Sequence, residues 1–223
     1  MSHDDNFVYL TFALLLLLLG TAAAQQFFSL SAQHLVQSAT VVTLVVGVWG
    51  VDSKSLYFRQ GFIFPIAIVL VALASYWLDT SGNDHYHLFL LLIFLISTAY
   101  QTSKQVLFSG EITGNNILGA ICLYLLMGLI WATTYTLLQI SFDQSFSSLS
   151  ETTAWYSLFP DFVYFSFVTI TTLGFGDISP TLPLARFFVY LEAIVGQFYL
   201  AILVASLVGT RMSVIAKENT KNK

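Results

Sequence analysis

Residues 171–177 read TTLGFGD: a pair of hydroxyls, two glycines at alternate positions and an aspartate, set in an otherwise apolar chain. Glycine has no Cβ and accepts left-handed backbone angles, so Gly174 and Gly176 allow the backbone to alternate its sense. A backbone that alternates in this way points successive carbonyls to one side. Carbonyl oxygens converging on an axis can replace the water shell of a dehydrated cation. The chemistry on offer is coordination, with backbone oxygens as ligands and the Thr172 hydroxyl as an innermost one. Elsewhere the apolar stretches hold no paired acids, no cluster of metal-ligating side chains and no nucleophile beside a base, so neither an enzyme nor a bound cofactor is expected.

Irregular backbone is costly at membrane depth unless protein surrounds it or water lines it. The elements around 171–177 must therefore hold it. Of the 223 residues, 57% are hydrophobic and 9% are charged, against about 25% charged in soluble domains. That composition points to a bilayer protein. A net charge of −4 gives no reason to expect a nucleic-acid partner. Cys122 is the single cysteine, so no intrachain disulfide forms. The chain starts Met-Ser-His-Asp-Asp-Asn, acidic where a signal peptide is basic, so the first apolar run is expected to be retained.

A membrane helix needs about 20 apolar residues. The apolar runs predict six spans, at about 7–24, 35–51, 61–78, 85–102, 116–140 and 184–210. Gln25, Gln26, Ser29, Ser31, Gln33 and His34 separate the first two. Lys54, Arg59 and Lys104 fall in alternate loops, on the same side as Arg211, Lys217, Lys221 and Lys223 after the last span. Arg186 is alone on the opposite side, which carries Asp79, Asp84, Asp143, Glu151, Asp161 and Asp177. The positive-inside rule puts both termini in the cytoplasm.

Between the fifth and sixth spans the chain first runs through SFDQSFSSLSETTAW, polar as an exposed loop is. Pro160 then suits the first turn of a helix, and Asp161 suits its positive end. FVYFSFVTITT follows, too short to span but long enough for a re-entrant half-helix over 158–171. The sixth span requires the chain to return outward through 172–177.

TTLGFGD closely resembles the potassium-channel filter signature TTVGYGD. The resemblance extends to the half-helix before it, to Asp177, to Arg186 early in the last span and to Gly196 in mid-span. Residues 116–210 look like the helix–pore loop–helix module, and six spans look like the voltage-gated-type layout. The resemblance implies an all-α membrane protein with six transmembrane helices, a re-entrant pore helix and an extended filter. It implies a homotetramer, since one loop supplies a quarter of a filter. The ion ligands it implies are the carbonyls of Thr172, Leu173, Gly174 and Phe175 with the Thr172 hydroxyl, while Gly176 permits the outer turn. Permeant K⁺ is the only bound species implied. Thr171 completes the hydroxyl pair beneath the filter.

The sequence also departs from the family. Phe175 replaces the usual tyrosine and lacks its phenolic brace. Tyr164 and Phe165 stand where hydrogen-bonding aromatics are common, and only Tyr164 keeps a polar tip. Val168 stands where some members carry a glutamate paired with the residue at Asp177. Leu173 for valine is a milder change. A filter braced more by packing than by hydrogen bonds is expected.

In the last span Gly196 is either a hinge or a site of close packing against the fifth span. Ala201, Ala205 and Gly209 form a stripe for helix packing. Gln197, Leu200, Val204 and Val208 form another face, resembling a cavity lining with a hydrophobic gate. Glu192 is the one acid inside this span, expected near the half-helix as a filter support or as a satisfied packing residue. Arg186 and Asp177 are expected to pair at the outer mouth.

Residues 1–104 form a four-helix, sensor-like unit. Its fourth span, HYHLFLLLIFLISTAYQTSK, has no arginine and only Lys104 at its inner end. Moving one charge through 100 mV is worth about 2.3 kcal/mol, so weak or absent voltage dependence is expected. His85 and His87 at its outer end are either pH-sensitive groups or interfacial polar residues. Residues 105–115 are a linker. Residues 211–223 form a short tail, without room for a ligand-binding module, whose lysines suit anionic lipid. The leading expectation is a potassium channel in a plasma membrane, with a prokaryotic one suggested by the compact chain. A less selective cation channel and a non-conducting membrane scaffold or modulatory subunit are the rivals. A transporter would show inverted repeats and two broken helices, and only one re-entrant segment is visible.

Overall fold

The computed structural model describes residues 6–27, 83–107, 114–149 and 154–221. The expected second and third spans lie outside them. The described elements are α1 (Asn6–Phe27), α2 (Asn83–Leu107), α3 (Gly114–Ser141), β1 (Phe146–Ser147), α4 (Trp155–Ile170), β2 (Ser179–Pro180) and α5 (Pro183–Lys221). Four of these helices contain stretches long and apolar enough to cross a membrane: Phe7–Phe27, Asp84–Val106, Asn115–Ser141 and Pro183–Ser206. At 16 residues, α4 reaches only about 24 Å and cannot cross a core of about 30 Å.

The packing centre is α3, which touches α1, α2, α4 and α5. Buried positions on α1 are Phe7, Leu10, Leu14 and Leu17, spaced three or four apart on one face. On α2 they are Leu88, Leu91, Phe94 and Leu95, and on α3 Cys122, Leu126, Leu129 and Ala132. The opposite faces expose Tyr9, Phe12, Leu19, Phe89 and Ile96, as lipid-facing helices do. With no hydrophobic force between helices in lipid, close contacts and hydrogen bonds supply the specificity. Gly119 lets the Phe7 ring approach, since a Cβ there would come within 3.0 Å of it. Thr11 Oγ1 lies 3.0 Å from Cys122 Sγ, and Asn115 accepts from the Phe7 N–H at 3.4 Å.

Several boundaries differ from the sequence expectation. α1 runs past residue 24 and includes Gln25 and Gln26, which had been expected to end it. The reason is that Gln25 has a partner: its amide donates to Asp161 Oδ1 of α4 at 2.7 Å. α2 extends through Leu107 and α3 starts at Gly114, so the linker over 105–115 is helical at both ends. α4 starts at Trp155 rather than 158, which puts Pro160 and Asp161 inside the helix. The Ser157 and Leu158 N–H groups close the first turn on the Ala154 carbonyl. Pro160 thus removes one internal hydrogen bond just past the first turn, where the loss is tolerable.

The polar loop before α4 is also less exposed than its serines suggest. Ser145 and Phe146 are buried, and Gln139 Oε1 accepts from the Phe146 N–H at 3.0 Å. β1 pairs antiparallel with β2, Phe146 opposite Pro180 and Ser147 opposite Ser179. This short ladder ties the loop before the half-helix to the segment after it. Pro183 occupies the first position of α5, where its missing N–H costs nothing. The helix then continues to Lys221, so the expected tail at 211–223 is largely an extension of the inner helix.

Candidate functional site

Thr171 ends α4, its backbone N–H bonded to the Phe167 carbonyl at 3.2 Å. The next donors fold back onto the same helix end. Thr172 N–H reaches the Thr169 carbonyl at 2.9 Å, and Leu173 and Gly174 N–H reach the Val168 carbonyl at 2.9 and 3.3 Å. Their donors are thus used internally. Among the described residues no hydrogen bond uses the carbonyls of Thr172, Leu173, Gly174 or Phe175. Acceptors left over in a row are what a cation site needs.

The backbone sense alternates along this row. φ is +63° at Thr172, +58° at Gly174 and +79° at Gly176. The two glycines were legible in the sequence. Thr172 was not, because a β-branched residue in this region is an outlier. Its conformation costs of order 1–3 kcal/mol and persists only where the surroundings enforce it. The hydrogen bond from its N–H to Thr169 and those of the next two donors supply that enforcement.

Residues 171–177 are all exposed within one chain, Leu173 at 61% and Phe175 at 66%. Neither side chain is packed within the chain. Tyr164 is half-exposed, and its hydroxyl donates to the Asp177 carboxylate. That bond holds the Asp177 carboxyl below its ordinary range. Arg186 instead donates from Nε to the Pro180 carbonyl at 3.2 Å. Asp177 and Arg186 therefore have different partners here, and the expected pair is not formed within the chain.

Behind the row lies a buried polar cluster. Glu192 on α5, Ser166 on α4 and Tyr135 on α3 are each 0% exposed. Tyr135 Oη lies 2.5 Å from Glu192 Oε2, and Ser166 Oγ lies 2.5 Å from Glu192 Oε1 and 2.8 Å from the Gly128 carbonyl. Phe165 is buried among Tyr135 and Phe146, with ring centroids 5.4 and 5.5 Å away. The Val168 side chain is buried and apolar, and its carbonyl is the one that holds the Leu173 and Gly174 N–H groups. Tyr124 Oη donates to the Ile170 carbonyl at the end of α4 at 3.1 Å and stacks on Tyr199 of α5. Sequence reasoning named Glu192 but missed Tyr135, Ser166 and Tyr124. Ser166 was the available signal, a lone hydroxyl inside FVYFSFV.

Gly196 also has a definite neighbour. A Cβ there would collide with Ile170 Cγ1 and come within 2.9 Å of the Ile170 carbonyl. α5 runs through it without interruption. Close packing is thus the observed condition, against α4 rather than the fifth span. Gln197, Leu200, Val204 and Val208 are exposed along α5, as are Ala201, Ala205 and Gly209. The two histidines separate: His85 is exposed, whereas His87 is buried with its ring 4.6 Å from that of Trp155.

Residues 123–212, which hold the row 171–177, α4 and most of α3 and α5, match the family model described as "Ion channel". The match supports an ion-channel domain over these residues. The matched stretch is less than half of the chain and excludes α1 and α2. No curated protein and no solved structure matches the chain. The channel segment explains the arrangement: a membrane-embedded ion-channel domain needs a short helix, an irregular row and two spans around them. α1 and α2 add flanking helices to it, joined through Gln25–Asp161 and His87–Trp155.

Proposed function

We propose that the protein is a homotetrameric, potassium-selective channel with little or no voltage dependence. The observation that carries this reading is the alternation of φ at Thr172, Gly174 and Gly176 beside four unused carbonyls. Four copies of such a row around one axis replace a hydration shell with carbonyl oxygens. A row exposed on one chain suits completion by three more copies. The C-terminal end of α4 carries the negative end of its dipole toward the same place.

The reading of weak voltage dependence rests on α2. Its last turn has Lys104, set 4.7 Å from the Tyr100 ring, and its first turn has Asp84. No arginine lies between them. Thr172, Leu173, Gly174, Phe175 and Gly176 act as the filter. Gln197, Leu200, Val204 and Val208 line the cavity, with a gate toward the inner end. The plasma membrane, with both termini cytoplasmic and the basic C-terminal end near anionic lipid, is the location this reading gives.

Purified protein in liposomes tests it. Potassium efflux that exceeds sodium efflux, and that is lost in Gly176→Ala, is the expected result. Equal fluxes of the two ions would favour a less selective cation channel. No flux from a folded tetramer would overturn the reading and leave a scaffold.

A further inference from the structure

Glu192 makes two side-chain contacts at 2.5 Å, Ser166 has a further one at 2.8 Å to the Gly128 carbonyl, and Tyr135 has a longer one of 3.4 Å to the Phe188 carbonyl. Each hydroxyl carries one proton, and a carbonyl carries none. If Glu192 is ionised, Tyr135 donates to Oε2, and the single Ser166 proton must serve two acceptors. If Glu192 is a neutral acid, it donates from Oε1 to Ser166, Ser166 donates to Gly128, and Tyr135 donates to Oε2. Three protons then fill the three contacts of 2.8 Å or less, and only the longer approach of Tyr135 Oη to the Phe188 carbonyl, 3.4 Å, is left without one.

Charge points the same way. An ionised carboxylate with no exposure requires a cation nearby or several kcal/mol of desolvation. The groups facing Glu192 from α3 are Tyr135 and, further off, Tyr124, whose hydroxyl is on Ile170. From α4 it is the Ser166 hydroxyl, while Asp161 is turned to Gln25 and Tyr164 to Asp177. On α5 the nearest cation in sequence is Arg186, held on the Pro180 carbonyl. None of these is a counter-cation.

We propose that Glu192 is a neutral carboxylic acid and a positioning residue for the filter, its proton closing a relay Glu192–Ser166–Gly128 that clamps α4 between α3 and α5. The relay rests on the reading of 172–176 as a filter. Ser166 lies two residues before Val168, whose carbonyl holds the Leu173 and Gly174 N–H groups. A neutral acid is favoured at low pH, so the clamp is intact in acid and neutral solution and is lost as pH rises through the titration of Glu192. Loss of the proton places a buried anion in the clamp and loosens the filter's support.

Two measurements on reconstituted full-length protein test this. The first is infrared difference spectroscopy with [¹³C]glutamate labelling, which separates glutamate from aspartate carboxyls such as Asp161. The remaining glutamates, Glu111, Glu151 and Glu218, lie in polar stretches. A labelled protonated-carboxyl band at neutral pH, lost on alkalisation and missing in Glu192→Gln, is expected. The second is potassium flux from about pH 6 to about pH 9.5, between the ordinary carboxylate and tyrosine values. Wild-type flux should fall about tenfold or more across that range. Glu192→Gln keeps a donor for Ser166 and an acceptor for Tyr135, so it should conduct with a flat profile. Absence of the band in wild type overturns the proposal whether or not potassium flows. A band with pH-independent wild-type flux overturns the link to the filter. If the glutamine variant does not fold, the wild-type band and its loss with pH still decide. A protein that shows the band but passes no potassium at any pH overturns the channel reading and, with it, the filter role of the clamp, while leaving the protonation assignment standing.

Discussion

Two layers of the segment that matches the ion-channel family, the row 171–177 and the buried cluster of Tyr135, Ser166 and Glu192, differ in how far one chain completes them. Residues 171–177 are exposed, and the carbonyls of 172–175 have no intrachain use. Tyr135, Ser166 and Glu192 are fully buried and satisfied by one another within a single subunit. The cluster is finished when one chain folds, whereas in the proposed tetramer the row is completed by three more copies. On the proposed reading, the difference teaches that a subunit can fold and be stable before its ion site is made. Substitutions in the two layers should therefore separate conduction from subunit stability.

The largest separation is expected at the glycines. At Gly174 and Gly176 a Cβ would meet nothing within 4 Å, so space is not the obstacle, yet φ is +58° and +79°. An L-residue there costs about 1–2 kcal/mol per position, four times over in a tetramer. Gly176→Ala should abolish potassium flux while the solubilised subunit keeps its helix content. A conducting variant, or one that unfolds, would break the distinction between the layers.

Ser166→Ala should do the reverse in order. It removes one bond to Gly128 and leaves a buried Glu192 oxygen without its partner, a loss of about 1–3 kcal/mol per subunit. The thermal midpoint should fall clearly, with flux reduced as a consequence. Gly196→Val belongs to the same layer. Its side chain would be driven into Ile170, whose backbone carbonyl cannot move without shifting the end of α4. Overpacking of this kind costs about 1–3 kcal/mol. Melting of detergent-solubilised protein checks both. A hinge at Gly196 would instead leave stability unchanged and alter only opening.

The sequence showed these layers unequally. The row was legible because glycines at alternate positions have few other uses, and the four described spans were legible from apolar length alone. The cluster was not, since Tyr135 sits in TTYT and Ser166 in FVYFSFV with nothing to say that they meet. That meeting depends on the rotation of three helices, which local pattern does not encode. Thr172 was legible as a candidate ligand but not as a left-handed residue, because its strain is imposed by bonds to α4. Gln25 was read as a helix end for the related reason that its partner, Asp161, lies 136 residues away. The family match covers the two layers and stops short of α1 and α2, so the flanking helices rest on the geometry alone.

The smallest effect lies at the rim, where the row meets its surroundings. The Tyr164 hydroxyl holds the Asp177 carboxyl below its ordinary range. A depressed carboxylate is ionised and bonded above its unfolded value, and the bond is lost as pH falls through the depressed one. Tyr164→Phe removes the donor, so Asp177 should take up its proton at a higher pH. Both groups are open to water, so the effect on folding should be slight. The variant should conduct normally at neutral pH and lose current on acidification sooner than wild type. The shift should follow external pH alone if Asp177 faces outward. An unchanged acid limb would mean that Asp177 takes its support from a neighbouring subunit, moving the rim from the layer finished within one chain to the layer that assembly completes.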